Sequence, residues 1–481
     1  MSNFKNILLN AIYQVFLLLV PIVTLPYVAR VLGASNLGIY SSTTAVIVFL
    51  GVIINFGLNQ LGSRKIAQAN QFDRLSVFFD LWKLQFASGI VVTALYILCI
   101  FLFSDETQIY LTQLLYLLSF IFDISWYFIG LGQIQKVVLR NTVVKLIGVA
   151  LIFLFVKNKD QLLAYILING GTFFASNIFF WTEIGHQNKE LKVFNSKPMH
   201  PFRINLNYAR SAFLLMMPQI AVQVYTSLDK PIVRAMSNNV QVSYYDQSQK
   251  IARMVIAIVS SASVVLMPKM AGSKDKLATN KMFEDSLYYT SKIAFIATVV
   301  VCANSFDFVP WFFGEKYAPM ALNMFIASLI ILFISLGGVF SNQLALALGL
   351  DKIFAIPYYV GAVFNLVLNY FLTLRFASIG ASVALVLTEA IVLTLRVSLL
   401  HRHLHIFEVF RSAETLQNFL AAVASLLVGF LPLYSRFSSF VAIVIRSVLM
   451  VVTYLVVLNI LRSTIYKRLG AILVSKQDKL R

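Results

Sequence analysis

The sequence predicts an all-α integral membrane protein of about fourteen transmembrane helices, and three observations lead there. Of 481 residues, 59% are hydrophobic and only 12% charged, about half the charged fraction of an average soluble domain. The apolar residues fall in runs long enough to cross a bilayer. The connections between those runs are alternately rich and poor in Lys and Arg, the mark of a chain that crosses back and forth.

The first observation excludes an ordinary soluble enzyme. A formal charge of +19 alone suggests a nucleic-acid partner, but 41 Phe and a mean hydropathy of +0.80 do not belong to a basic soluble binder. Hydrocarbon excludes unpaired backbone, leaving helices or closed barrels. Barrel strands alternate polar with apolar, whereas 91–102 and 419–433 are almost continuously apolar, so the spans are helical. They are expected at 7–29, 38–59, 84–103, 107–129, 137–156, 161–182, 206–229, 243–266, 288–309, 318–340, 353–374, 380–400, 415–435 and 438–461. The first lacks a small-residue cleavage pattern and reads as a retained span. The longest loops, near 60–83, 183–205 and 267–287, are too short for a catalytic domain. Cys99 and Cys302 lie in apolar segments, where inert thiols are expected.

With the N-terminus in the cytoplasm, the cytoplasmic ends and loops hold 25 Lys and Arg, the opposite side holds eight, and six fall within spans. That split puts both termini in the cytoplasm. Most of the positive charge is thus an orientation signal.

A weak repeat divides the chain. A shift of 204 residues places Arg30 on Arg234, Tyr40 on Tyr244 and Lys65 on Lys269. Six spans separate the copies, so both enter the membrane in the same sense. The expected organisation is an N-terminal lobe at 1–204, a second six-helix lobe at 205–411, and two additional helices with a basic tail at 412–481. Two lobes with a cleft between them suit alternating access.

Charge inside a span is expensive and usually faces protein or water. Here it is mostly cationic: Lys145, Lys250, Arg253 and Arg446 lie within spans, with Arg210 and Lys292 nearer cytoplasmic ends. Basic cleft walls favour an anion, phosphate oxygens above all, while snorkelling to the headgroups is the alternative for Arg210, Lys230, Lys250 and Lys292. Acidic candidates for coupling to an ion are Asp123, Asp229 and Glu389, each equally able to be a structural counter-ion. Asn55, Asn59 and Gln60, and Asn365 with Asn369 one turn later, either hydrogen-bond sugar hydroxyls or glue helices together. Pro21, Pro26, Pro218, Pro268 and Pro357 are expected to bend or end helices. Tyr13, Tyr40, Tyr225, Tyr244 and Tyr245 stack on a sugar or isoprenoid, or simply pack. His401, His403 and His405 read as a headgroup-facing loop rather than a metal site, and 72–83 as an amphipathic interfacial helix.

The run Pro26-Tyr27-Val28-Ala29-Arg30-Val31-Leu32-Gly33, followed by Gly38-Ile39-Tyr40 and Gly62-Ser63-Arg64-Lys65-Ile66-Ala67, resembles the polysaccharide transporter family of lipid-linked O-antigen, capsule and teichoic-acid repeat-unit flippases. Pro218-Gln219-Ile220-Ala221 and Leu228-Asp229-Lys230 resemble it in the second half. The resemblance implies a fold similar to the multidrug and toxic-compound extrusion transporters: two six-helix bundles plus two helices. It implies a non-enzymatic flippase that moves undecaprenyl-pyrophosphate-linked oligosaccharide from the inner to the outer leaflet of the bacterial cytoplasmic membrane. By this analogy Arg30 matches the family's first-hairpin arginine, and Asp229 and Lys230 its seventh-span pair. The candidate substrate contacts are therefore Arg30, Lys145, Arg210, Lys230, Arg234, Arg253, Lys292, Asn55, Asn365 and Asn369. No cofactor, metal or nucleic acid is expected; proton or sodium coupling, a monomeric state, and membrane lipid and polysaccharide assembly enzymes as partners are. A cation-coupled multidrug antiporter on the same fold is the alternative, and would want anionic walls.

Overall fold

The computed structural model describes residues 2–103, 105–191, 205–261, 276–346, 348–401 and 413–461. The described elements are helical, and ten of the helical segments are long and apolar enough to cross a membrane. The chain forms two compact units, Met1–Ser243 and Tyr244–Arg481. This division groups the helices around the seventh expected span with the first unit, one span later than the boundary read from the repeat.

The first unit contains α1 (Ser2–Asn55), α2 (Leu58–Gln68), α3 (Arg74–Phe103), α4 (Thr107–Ile121), α5 (Ser125–Gly130), α6 (Ile134–Phe155), α7 (Leu162–Leu191), α8 (Leu206–Ser227) and α9 (Asp229–Met236). The first two expected spans are the limbs of α1, joined at Gly33 with φ 77° and ψ 170°, a conformation that glycine adopts without steric cost. Pro21 and Pro26 lie inside the helix, which continues through them. Pro218 and Pro357 also sit inside continuous helices, and Pro268 lies outside the described residues. The breaks fall elsewhere, at Gly33, at Phe56–Gly57 and at Ala377 with φ 49°.

The break between α4 and α5 explains why a proline is not needed. In hydrocarbon every freed carbonyl must find a donor. Gln85 Nε2 donates to the Phe120 and Asp123 carbonyls at 2.7 and 2.9 Å. Trp82 Nε1 donates to Ile121 at 3.1 Å, and Trp181 Nε1 to Phe122 at 3.0 Å. Trp126 in turn donates to Gln85 Oε1, and packs with Phe78, Leu81, Phe128 and Phe180 in the core. The stretch read as an amphipathic interfacial helix is thus largely the first turns of α3, with Phe78 and Leu81 fully buried. Most of its apolar side chains meet protein, while Phe72 is exposed.

The second unit contains α10 (Asn239–Val259, entering from the end of the first unit), α11 (Lys276–Phe313), α12 (Ala321–Ala327), α13 (Leu329–Gly338), α14 (Asp351–Leu400), α15 (Ala413–Gly429) and α16 (Ser439–Ile460). A π-helical stretch, Val339–Ala345, follows α13. Two expected spans are again limbs of one kinked helix, α14. The last two helices are fixed to α11 by two buried cations. Lys292 Nζ donates to Asn418 Oδ1 at 3.0 Å and lies 4.5 Å from the Tyr288 ring centre. Arg446 pairs with Asp307 at 2.5 Å, donates to the Ala303 carbonyl at 3.2 Å and stacks on Tyr434.

Candidate functional site

In the first unit a cavity of about 290 Å³ is walled by α1, α6 and α7, and Lys145 lines it. Its position follows from the two faces of α6. Leu139, Val143, Leu146, Ile147 and Leu154 are exposed, recurring at helical spacing as a lipid-facing stripe. Asn141, Lys145, Gly148 and Ile152 recur at the same spacing on the cavity side. Lys145 is half-buried, and its ammonium has no hydrogen-bond or ion-pair partner among the described residues. The sequence placed Lys145 in a cleft between lobes; within the first unit it lines this cavity, because α6 turns this face to α1 and α7.

The other candidates of the first unit divide between exposed and structurally engaged positions. Arg30 and Arg210 are exposed. Arg234, half-buried on α9, pairs with Glu106 at 2.5 Å and donates to Ser42 Oγ at 3.2 Å. Asp229 is buried and Lys230 half-buried at the start of α9. Asn55 is buried and donates to Asn59 Oδ1 at 3.2 Å. Asp123 accepts from the Ser125 backbone N–H at 3.0 Å and from its hydroxyl, an Asx turn ahead of α5. Tyr40 packs edge-on against Tyr165 at 4.6 Å, and Tyr244, in the second unit, donates to the Lys316 carbonyl at 3.2 Å.

In the second unit one acidic candidate has two arginines acting on it, and the others are engaged separately. Glu389 is buried on the second limb of α14, and the guanidinium groups of Arg396 and Arg253 both act on it electrostatically. Asn365 donates to Thr388 Oγ1 at 3.4 Å, and Asn369 accepts from Thr373. Both asparagines are buried and serve as polar links in and between the limbs of α14. Lys250 is held by Asp246 one turn earlier at 2.6 Å. Lys292 is part of the clamp on α15 described above rather than a free cation.

Two further cations, Arg140 and Arg396, fall at the cytoplasmic ends of the expected spans 137–156 and 380–400 and were counted there as orientation charges. Arg140 Nη1 donates to Asn177 Oδ1 at 2.9 Å, and its guanidinium stacks on Phe180 at 4.1 Å. Arg396 is 5% exposed, stacks on Tyr358 at 4.8 Å, and has an Nε without a hydrogen-bond partner among the described residues. Gly337 leaves the space its guanidinium occupies, since a Cβ there would overlap Nη1. The i, i+7 spacing of Glu389 and Arg396 on one helix face was the available signal. His401 is exposed with Nδ1 2.6 Å from the Ser398 carbonyl; His403 and His405 lie outside the described residues.

Long apolar helices with cations and carboxylates along their protein-facing sides, and kinks within the membrane-length segments, define a multi-pass membrane transporter. The comparisons give the particular family. The chain belongs to the polysaccharide biosynthesis protein family, whose model matches residues 4–274, more than half of the chain. A relative from Escherichia coli (strain K12), provisionally named an O-antigen transporter, is 22% identical over 406 residues, covering 81% of this chain and 95% of its own. The fold is similar to that of the lipid II flippase MurJ in an inward closed conformation, with a TM-score of 0.73 at 16% identity over 96% of this chain and 98% of that one. An inward-facing multidrug resistance MATE transporter is similar at a TM-score of 0.55 and 12% identity, over 82% and 96% of the chains.

Proposed function

We propose that this protein is a flippase that moves an undecaprenyl-pyrophosphate-linked oligosaccharide from the cytoplasmic to the outer leaflet of a bacterial cytoplasmic membrane by alternating access. The observation that carries the reading is the family match together with relatives named as O-antigen transporters. The lipid-linked cargo is supported by the fold likeness to a lipid II flippase. The proposed topology has fourteen spans, in lobes at 1–204 and 205–411 with two further helices at 412–481, and both termini in the cytoplasm. Ten membrane-length segments, two of them kinked pairs, with the shorter α15 and with α10, accommodate that number.

No covalent bond changes during the transfer. The headgroup loses hydration on entering the protein, and fixed cations and hydrogen-bonding walls replace part of it. Lys145 and Arg253 are the proposed contacts for negative charge. Glu389, set among arginines, is the proposed site at which a proton or cation is coupled. An organic-cation antiporter would instead need unspent carboxylates, and Asp123 is engaged in an Asx turn with Ser125.

Leaflet-resolved transport of a defined lipid-linked oligosaccharide in proteoliposomes tests the reading. Transport of that cargo, with no uptake of organic cations, is expected. Organic-cation exchange without glycan transfer would replace the proposal with the antiporter. Imposed proton and sodium gradients, applied separately, distinguish coupled from passive movement.

A further inference from the structure

The cavity in the first unit has a chemical asymmetry that goes beyond a general preference for anions. On α6, Lys145 supplies an ammonium, and Asn141 supplies amide hydrogens because its Oδ1 is already taken by Arg140 Nε and Nη2 at 3.0 and 2.7 Å. The facing helices offer the reverse. Thr24 Oγ1 donates its hydrogen to the Val20 carbonyl at 3.0 Å. Thr172 Oγ1 donates to the Ile168 carbonyl at 2.7 Å, and Asn169 Nδ2 to the Tyr165 carbonyl at 2.8 Å. With their hydroxyl hydrogens spent on their own helices, Thr24 and Thr172 present lone pairs to the cavity, and Asn169 adds its Oδ1 beside the one amide hydrogen left to it.

A ligand that fills this space must therefore bring one negative group for Lys145 and several donors for the opposite wall. The esterified pyrophosphate of a lipid-linked glycan has acceptors only, and would set its oxygens against the lone pairs of α1 and α7. A sugar ring carries donor hydroxyls around its rim. At about 290 Å³ the cavity sits at the small end of the range for ligand sites, ~300–1,000 Å³, suited to one headgroup unit and not to an oligosaccharide. Tyr165 and Phe173 add an aromatic edge to the lining, which suits the C–H faces of a sugar.

We infer that the cavity between α1, α6 and α7 is a subsite for a single acidic sugar unit of the cargo, its carboxylate on Lys145 and its hydroxyls on Thr24, Asn169 and Thr172. This rests on the flippase reading and narrows its substrate to glycans that contain a uronic-type residue.

The test uses two lipid-linked oligosaccharides that differ only in glucuronic acid against glucose at one position. In proteoliposomes the wild-type protein flips the acidic cargo about tenfold faster or more at subsaturating concentration, the size expected for one charge-assisted contact. Lys145→Gln removes the preference by slowing the acidic cargo, and Lys145→Arg retains most of it. Gly148→Leu, which fills the cavity from α6, slows the acidic cargo at matched abundance. Free glucuronate competes with the acidic cargo, whereas a phosphate diester with acceptors only, dimethyl phosphate, at equal concentration does not. Equal wild-type rates for the two cargoes, an unchanged ratio in Lys145→Gln, or equal competition by dimethyl phosphate overturns the subsite while leaving the flippase reading standing. Transport of neither cargo would instead count against the flippase reading.

Discussion

Replacing Arg396 with Leu tests whether the buried charges of the second unit act as one group. Arg396 is 5% exposed and Glu389 4% exposed, so neither is well screened by solvent. Among the described residues no ion pair joins the two side chains, so Arg396→Leu leaves the Glu389 charge without a longer-range attraction, about 1–2 kcal/mol at an effective dielectric of about 20, that Arg396 shares with Arg253. In a Glu389→Gln background that uncompensated charge is gone. What remains is chiefly the lost stack on Tyr358, about 0.5–2 kcal/mol. The double-mutant cycle is therefore expected to show a coupling of about 1–2 kcal/mol. Unfolding of the purified protein in mild detergent, followed by Trp fluorescence, measures all four corners. Additivity within about 0.5 kcal/mol would refute the reasoning, since it would mean Arg396 and Glu389 do not share a site.

Further outcomes follow from other contacts. Lys292→Met should destabilise the protein by about 1–2 kcal/mol through the lost bond to Asn418, yet leave transport per folded molecule near wild type; a selective transport defect at full stability would restore Lys292 to the substrate path. Arg234→Glu and Glu106→Arg should each impair folding modestly, by about 1 kcal/mol for a pair with exposures of 18% and 35%, and the double exchange should recover most of it; no recovery would show that the pair does not interact as drawn. Ala377→Gly should be neutral or stabilising by up to about 1 kcal/mol, because φ 49° strains an alanine but not a glycine, and a lower melting temperature would contradict this.

The fold class was legible because membrane insertion leaves few alternatives: continuous apolar runs, short loops and alternating basic connections can be read without knowing how helices pack. The kinks were not. Prolines drew the expectation of bends, but the helices run through Pro21, Pro26, Pro218 and Pro357, while the turn after Ile121 is held by side chains from α3 and α7 that are distant in sequence. The candidate site was legible in part. Lys145 stands out as a lone cation among apolar neighbours, and its cavity depends on polar residues of α1 and α7 that no local pattern associates with it. Lys292 and Arg234 look the same in sequence as a cleft cation, yet their partners Asn418 and Glu106 make them structural ties. Arg396 was hidden because it lies close to a basic connection, where a cation ordinarily reports orientation; its burial depends on the space left by Gly337 and the ring of Tyr358.

The central claim is that fixed cations within the membrane-spanning helices act on an anionic, lipid-linked cargo. The most direct measurement is the initial rate of leaflet transfer of that cargo by Lys145→Gln, Arg253→Gln and the double variant, each reconstituted at matched protein density. Each single variant is predicted to fall by about tenfold, the scale of one charge-assisted hydrogen bond, and the double variant further, with folded protein unchanged. Wild-type rates in all three would contradict the account.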